Sequence, residues 1–219
     1  MIMNTHVFFR DELLRLQLNT QQTGIAFAVG KYRCESLWTA LIDDDEFIVP
    51  KSAESVPEIL QGFASEGGLA VGWATFGSNG HVTRPSGLVV ESFTRRGEHL
   101  NKLYKTIVRS DRLERIRVIH YPVFREPYRL VSEHHQVVSL VPERFPSVAQ
   151  THNPTGDNIQ INHYKSKSRE EWARRVARGA VAGGKWRDGL DDFNSLDLNE
   201  VEDLSIRRYI PRLKMVLKV

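Results

Sequence analysis

The chain has 219 residues, of which 41% are hydrophobic, and a formal net charge of +3; this size suits a single domain with one core, over residues 1–219. Its only cysteine, Cys34, excludes an internal disulfide and any zinc site built from several thiolates, and it favours a reducing, cytoplasmic compartment. No stretch approaches the ~20 consecutive apolar residues that a membrane-spanning helix needs.

The first third of the chain alternates predicted helices with predicted strands. Apolar residues at helical spacing predict a helix over 20–33, and the apolar run over 37–42 predicts a short strand buried on both faces. Ser55 is typical of a helix start and a pair of glycines ends that helix, after which a second apolar strand follows over 69–76. Helices and strands mixed in this way predict the α/β class.

The middle of the chain is dominated by strand patterns. The Asn79-Gly80 pair favours a tight turn with positive φ. Further strands are predicted over 86–96, 104–110 and 115–124. We therefore expect a central sheet to be built largely from this region.

The last part of the chain, residues 165–219, is predicted to be a helix followed by a tail. It is preceded by a predicted strand over 157–164. The helix begins where Ser168 and Glu171 have the spacing of a capping box, and Gly179 is its predicted end.

Basic residues are concentrated in residues 165–187. This stretch contains eight lysines and arginines against two glutamates, a charge that attracts phosphate, an anionic membrane surface or nucleic acid. A solvated helix face is the plain alternative. Nucleic acid is not expected, because no aromatic residues are interleaved in the way that single-strand binding requires.

Four consecutive acids, Asp43, Asp44, Asp45 and Glu46, follow the first predicted strand. Side chains two positions apart in an extended segment point the same way, so Asp43 and Asp45 can converge on one cation. Mg²⁺ and Mn²⁺ favour one or two carboxylates, together with phosphate and water. Ligands of open α/β sheets also bind beyond the C-terminal ends of strands. The acids thus predict a metal-nucleotide site, with an exposed acidic turn as the alternative.

Five blocks spread along the chain carry a more specific signal: "WTALIDDDEFIVP", "WATFGSNGH", "SGLVVESFTRR", "KTIVRS" and "INHYKSKSREEW". In order and approximate spacing they resemble family 92 glycosyltransferases and their bacterial family 2-type relatives, over residues 21 to about 210. The resemblance implies a GT-A-like fold, in which helices flank an open mixed sheet. It also implies inverting transfer of a sugar from a nucleotide-sugar donor to a glycan or other hydroxyl acceptor.

The resemblance implies roles for several residues. Asp43 and Asp45 match the Asp-x-Asp motif that holds Mn²⁺ or Mg²⁺ and the donor, and His163 matches a C-terminal histidine that contacts the metal or the diphosphate. A glycine loop beside the donor is matched by Gly77, Gly80 and His81. Without the resemblance, the Asn79-Gly80 pair is simply a good hairpin turn, and His163 is a hydrogen-bonded core histidine.

Charge predicts the remaining roles. The leaving diphosphate gains negative charge as the glycosidic bond breaks, and we predict that Lys105, Lys165 and Lys167 assist the cation in stabilising it. Inverting transfer also needs a base that deprotonates the acceptor hydroxyl. Glu91, on the strand predicted after the glycine loop, is the first choice and Glu98 the second. Either is alternatively a surface acid paired with a neighbouring arginine.

The chain departs from the family at its start. Family members begin with strand-helix units that supply much of the nucleotide pocket, and the signals of those units are absent from residues 1–20. We therefore expect an N-terminally shortened domain, whose exposed strand edge favours a homo-oligomer. Two other functions stay open: a non-catalytic protein that binds a glycan or a partner, and a glycoside hydrolase that uses paired carboxylates.

Overall fold

The computed structural model describes residues 21–32, 34–118, 121–138, 153–179, 189 and 191–218. The strands are β1 (Trp38–Leu41), β2 (Glu46–Pro50), β3 (Gly68–Thr75), β4 (Arg95–Arg96), β5 (Asn101–Arg109), β6 (Leu113–Val118), β7 (Tyr121–Phe124), β8 (Leu130–Val131), β9 (Ile159–His163) and β10 (Val201–Glu202). The helices are α1 (Gln21–Tyr32), α2 (Val56–Gln61), α3 (Val89–Ser92), α4 (Arg169–Arg178), α5 (Phe193–Leu196), a 3₁₀ helix (Ser205–Tyr209) and α6 (Ile210–Leu217). None of these helices combines the length and the apolar character needed to cross a membrane.

The centre of the fold is an open six-stranded mixed sheet. Its strand order is β1–β5–β3–β9–β2, and β8 pairs with the start of β3. Strands β8 and β9 run parallel to β3, whereas the β1–β5, β3–β5 and β2–β9 pairs are antiparallel. The predicted α/β class with an open mixed sheet is confirmed at this level.

Side chains alternate between the two faces of the sheet, so each face has its own core. On one face, Val71 of β3, Ile107 of β5 and Ile161 of β9 pack with Ile59 and Leu60 of α2; we call this the α2 face. The opposite face packs β5 against the hairpin of β6 and β7 and against α1. A third cluster joins β2 and β3 to the C-terminal helices. Helices therefore flank a sheet that is buried on both sides.

Local signals in the sequence predicted most elements correctly. The structure confirms a helix at α1, strands at β1, β3, β5 and β9, and the helix α4. The capping box is present: the Ser168 hydroxyl accepts from the Glu171 N–H at 3.2 Å, and the Glu171 carboxylate accepts from the Ser168 N–H at 3.3 Å. Asn79 and Gly80 have φ values of 52° and 78°, which confirms the predicted turn.

The predicted strand over 86–96 is wrong. Residues Val89–Ser92 form α3, and only Arg95–Arg96 pair as β4. The backbone of this segment bonds within a helical turn, because the Ser92 and Phe93 N–H groups donate to the Leu88 and Val89 carbonyls, each at 3.1 Å. Glu91 therefore lies on a one-turn helix and not on a strand.

Two further boundaries differ from the prediction. The segment 115–124 lies in an antiparallel hairpin of two strands, β6 and β7, instead of one strand. The helix after Ser55 ends at Gln61 and does not reach the glycine pair, because Gly68 already pairs with Val108 of β5 as the first residue of β3.

Candidate functional site

On four strands a polar or amphipathic side chain lies two positions from an apolar residue of the α2 face. The pairs are Ile48 and Glu46 on β2, Val71 and Trp73 on β3, Ile107 and Lys105 on β5, and Ile161 and His163 on β9. Because residues two apart on a strand share a face, these four side chains project from the α2 face. Glu46 lies directly opposite His163 in the β2–β9 ladder. Together with Asp43 and Asp45 they form what we call the strand-end site.

Lys105 lies at the centre of the strand-end site and is only 2% exposed. Its Nζ is 2.7 Å from Asp43 Oδ2 and 3.3 Å from Glu46 Oε2. It also lies 5.5 Å from the centroid of the Trp73 ring. A buried ammonium is costly without compensating charge, so the two carboxylates explain how a lysine is accommodated inside a core strand.

Glu46 is the residue of this site to which the sequence assigned no role. It is 4% exposed; its Oε2 accepts from the Asp43 N–H at 2.9 Å, and its buried Oε1 has no hydrogen-bond partner among the described residues. Burial raises the pKa of Glu46 to about 7, although Lys105 opposes the shift. One signal could have identified it: Glu46 precedes Ile48 by two positions in a strand, which places it on the core face.

The side chains of Asp45 and His163 meet just outside the β2–β9 ladder, whose first pair is Glu46 and His163. His163 Nε2 is 3.6 Å from Asp45 Oδ1, and the imidazole packs at 4.6 Å from the Trp73 ring. Burial lowers the pKa of His163 to about 3, so its imidazole is neutral at physiological pH. Burial raises the pKa of Asp45, and the charge of Lys167 opposes this. The pair thus offers one carboxylate and one neutral nitrogen as ligands.

The predicted Mn²⁺ or Mg²⁺ fits this donor set in part. The carboxylates of Asp43 and Asp45 supply the oxygen ligands that these ions prefer. The ligand atoms of Asp43, Asp45 and His163 do not all lie within 4.8 Å of one another. Among the described residues, that spacing is met only by Glu133, His134 and Asp157. Since Mg²⁺ usually takes one or two carboxylates and completes its shell with phosphate and water, Asp45 and Asp43 are sufficient for a metal-diphosphate complex.

Two of the predicted lysines follow His163 closely in the sequence. Lys165 and Lys167 lie in the connection between β9 and α4, where the Arg175 guanidinium donates to the Lys165 carbonyl at 3.0 Å. The charges of Lys167 and Arg175 both act on the Asp45 carboxylate. The described part of the predicted basic stretch therefore borders the acids, while 180–188 lies outside the described residues.

The predicted glycine loop is held mainly by residues 197–199, far along the chain. A side chain at Gly77 would collide with the Leu198 carbonyl, so this glycine is required for packing. Gly80 is exposed, and nothing lies within 4 Å of where its Cβ would be. The His81 ring lies 3.2 Å from the Ser92 carbonyl through Nε2. Gly77 is therefore buried, His81 is half-buried, and Gly80 is exposed.

The two predicted bases have different surroundings. Glu91 Oε1 lies 2.7 Å from Lys214 Nζ, and this hydrogen bond lowers the pKa of Glu91. Its partner is therefore a lysine of α6 and not a neighbouring arginine. The side chain of Glu98 is 68% exposed. Residue 99, next along the chain, lines a cavity of about 330 Å³ that also contacts Thr75, the β-ladder partner of His163.

Comparisons with models of known protein families and with curated proteins returned no match. The function is therefore inferred from the geometry of the strand-end site together with the five sequence blocks. Four of those blocks contribute residues to this site, namely "WTALIDDDEFIVP", "WATFGSNGH", "KTIVRS" and "INHYKSKSREEW".

Proposed function

We propose that this chain is a metal-dependent glycosyltransferase of GT-A type that moves a sugar from a nucleotide-sugar donor to a glycan or other hydroxyl acceptor, with inversion. One observation carries the proposal. One edge of the open mixed sheet brings together Asp43 and Asp45 with His163, which is far from them in sequence. The buried Lys105 lies beside them. In open α/β sheets this edge is where ligands bind.

In this proposal the acidic residues of the site bind the cation, and the basic residues stabilise the diphosphate. Asp45 and Asp43 would hold the divalent cation, which when bound supplies Lewis-acid stabilisation of the leaving diphosphate. Lys165 and Lys167 add positive charge on the same side, where the diphosphate becomes more negative. Lys105 fixes the position of Asp43 through its contact at 2.7 Å. His163, neutral because it is buried, orients Asp45 or serves as a further ligand.

Glu98 is the better placed of the two predicted bases. It is next in sequence to the wall of the 330 Å³ cavity beside Thr75, which is large enough for part of an acceptor sugar. Glu91 is held by Lys214, and a lowered pKa makes a carboxylate a weaker base. If Glu98 is the base, Glu98→Gln lowers kcat by about 10²-fold or more, whereas Glu91→Gln leaves kcat nearly unchanged.

Donor binding is tested most directly with nucleoside diphosphates. Thermal unfolding is measured with UDP or GDP, each with Mn²⁺ and with EDTA. We expect stabilisation that requires the metal, because a ligand bound only to the folded chain raises its stability. Asp45→Asn should weaken the affinity at least tenfold. Asp44→Asn is the matched control, since Asp44 is exposed and lies on the same turn. Unchanged stability at saturating ligand, or equal effects of both variants, would contradict the proposal.

A second function is supported by the Lys105 contact itself. Asp43 is already neutralised by a buried lysine at 2.7 Å, an arrangement that needs no metal for its stability. This favours the alternative of a non-catalytic protein that binds a glycan or a partner. It predicts glycan binding that survives both EDTA and Asp45→Asn, with no sugar transfer. Release of free sugar without any nucleotide would instead indicate glycoside hydrolysis.

A further inference from the structure

The opposite end of β9 carries a second cluster of ligand-type side chains. Glu133, His134 and Asp157 each place one ligand atom within 4.8 Å of the other two. Glu133 and His134 follow β8, and Asp157 precedes Ile159, the first residue of β9. His163 lies at the other end of this five-residue strand, so the cluster is separate from the strand-end site.

The carboxylate of Glu133 is held in a fixed orientation. Its side chain is 2% exposed. Oε1 accepts from the Asp157 N–H at 2.7 Å, and Oε2 accepts from the Asn158 and Ile159 N–H groups at 2.7 and 3.0 Å. A carboxylate has about four acceptor positions, so these bonds leave one position, on Oε1. That same Oε1 lies 3.8 Å from His134 Nε2. Glu133 thus presents one preoriented oxygen toward the histidine.

All three ligand atoms lie within 4.8 Å of one another, and one of the spacings is close to that expected for tetrahedral coordination. His134 Nε2 is 3.2 Å from Asp157 Oδ2 and 3.8 Å from Glu133 Oε1. Ligands at the usual zinc distances of about 2.0–2.1 Å lie roughly 3.3 Å apart in a tetrahedron. A small rotation of the exposed side chains is therefore enough to place an ion between them. A simple surface contact between His134 and Asp157 would not need the buried third oxygen.

We propose that Glu133, His134 and Asp157 bind a divalent transition metal of the zinc type. The mixed set of one imidazole and two carboxylates suits zinc better than magnesium. The side chains of His134 and Asp157 are 43% and 77% exposed, which leaves the fourth position to water. The ion links the end of β8 to the start of β9, two strands that both pair with β3. This site does not depend on sugar transfer.

The experiment uses the full chain in an Asp45→Asn background, which weakens the strand-end site as a competing metal site. After removal of metals with EDTA and dialysis, Zn²⁺ alone is titrated by calorimetry, and thermal unfolding is recorded in parallel. We expect one zinc ion per chain and a higher unfolding temperature. His134→Ala and Asp157→Asn should each weaken zinc binding at least tenfold.

His99→Ala is the matched control, since the His99 side chain is 90% exposed and its one recorded ion-pair contact, to Glu98, is at 4.0 Å. It should leave the zinc affinity unchanged. Both cluster variants alter exposed side chains and should keep the fold, which circular dichroism checks. Absence of zinc binding at micromolar concentration, or binding that neither cluster variant weakens, would overturn the proposal.

Discussion

The two ends of β9 each bury a glutamate, but they satisfy it in opposite ways. Glu133 accepts three backbone N–H groups, so its charge is balanced by the chain that it holds together. Glu46 accepts one N–H and contacts Lys105, and its Oε1 has no hydrogen-bond partner within the described ranges. A carboxylate held by three backbone N–H groups is typical of a structural clamp, whereas one with a single backbone bond and a strongly shifted pKa is typical of a functional site.

The largest expected effect is at Glu133, which we call the clamp because it accepts three backbone N–H groups. Glu133→Ala leaves the N–H groups of Asp157, Asn158 and Ile159 without their acceptor, and it should lower the free energy of unfolding by about 3 to 5 kcal/mol. Urea denaturation of metal-free protein measures this. Glu133→Gln, which keeps one oxygen, should cost less. A loss below about 1 kcal/mol for the alanine variant would remove the distinction between the two glutamates.

The next largest effect is expected at Lys105, the buried charged side chain of the strand-end site. Lys105→Met removes the charge that compensates Asp43 and the buried Glu46, and breaking such a pair should cost about 3 kcal/mol at pH 8. Adding Glu46→Gln removes the uncompensated buried acid, so the double variant should recover a large part of this loss. A double-mutant cycle measures the coupling. If the two losses simply add, Lys105 and Glu46 are not coupled and the site is not one electrostatic unit.

The raised pKa of Glu46 predicts a pH dependence. Its ordinary pKa is 4.5 and its folded value about 7, so between these values the folded chain holds a proton that the unfolded chain has lost. The stability from this group is therefore present at low pH and lost as the pH rises through this window. At about 1.36 kcal/mol per pH unit the span corresponds to about 3 kcal/mol. Relative to the wild type, Glu46→Gln should gain stability from pH 5 to pH 8.

His163 provides the control of opposite sign. Its folded pKa of about 3 lies below the ordinary 6.5, so the unfolded chain binds the proton first as the pH falls. The wild type should lose stability from this group below about pH 6.5, and His163→Gln should remove that loss. The two variants therefore have opposite pH slopes between about pH 4.5 and 6.5. Parallel slopes would show that burial does not control both groups.

The sequence predicted the parts of the fold that depend on near neighbours. Alternation and apolar runs gave β1, β3, β5 and β9, and the Ser168–Glu171 capping box gave the start of α4, because both signals act within a few residues. Asp43, Asp45 and His163 were also predicted as members of one site, on the basis of the resemblance. The structure places them at one edge of the sheet without gathering them as a three-ligand cluster.

Several of the wrong or missing predictions depend on bonds that an apolar pattern does not show. The segment 86–96 has an apolar strand pattern, but its Ser92 and Phe93 N–H groups bond back to the Leu88 and Val89 carbonyls in a helical turn. The Glu133 clamp joins two segments more than twenty residues apart, and no local pattern marks it. The partnership of Lys105 with Glu46 requires knowing that the sheet brings the middle of β5 within side-chain reach of the start of β2.

The smallest expected effect tests whether the clamp and the proposed zinc site are separable. In metal-free protein, His134 and Asp157 form an exposed pair at 3.2 Å, and exposed pairs contribute about 0 to 1 kcal/mol. His134→Ala should therefore change the free energy of unfolding far less than Glu133→Ala, one residue away. Urea denaturation without metal measures this, and repeating it with Zn²⁺ should enlarge the difference between wild type and variant, because the ion stabilises only the chain that binds it. A large loss without metal would mean that His134 belongs to the clamp itself, and the buried glutamate would then depend on its side-chain neighbour as well as on the backbone.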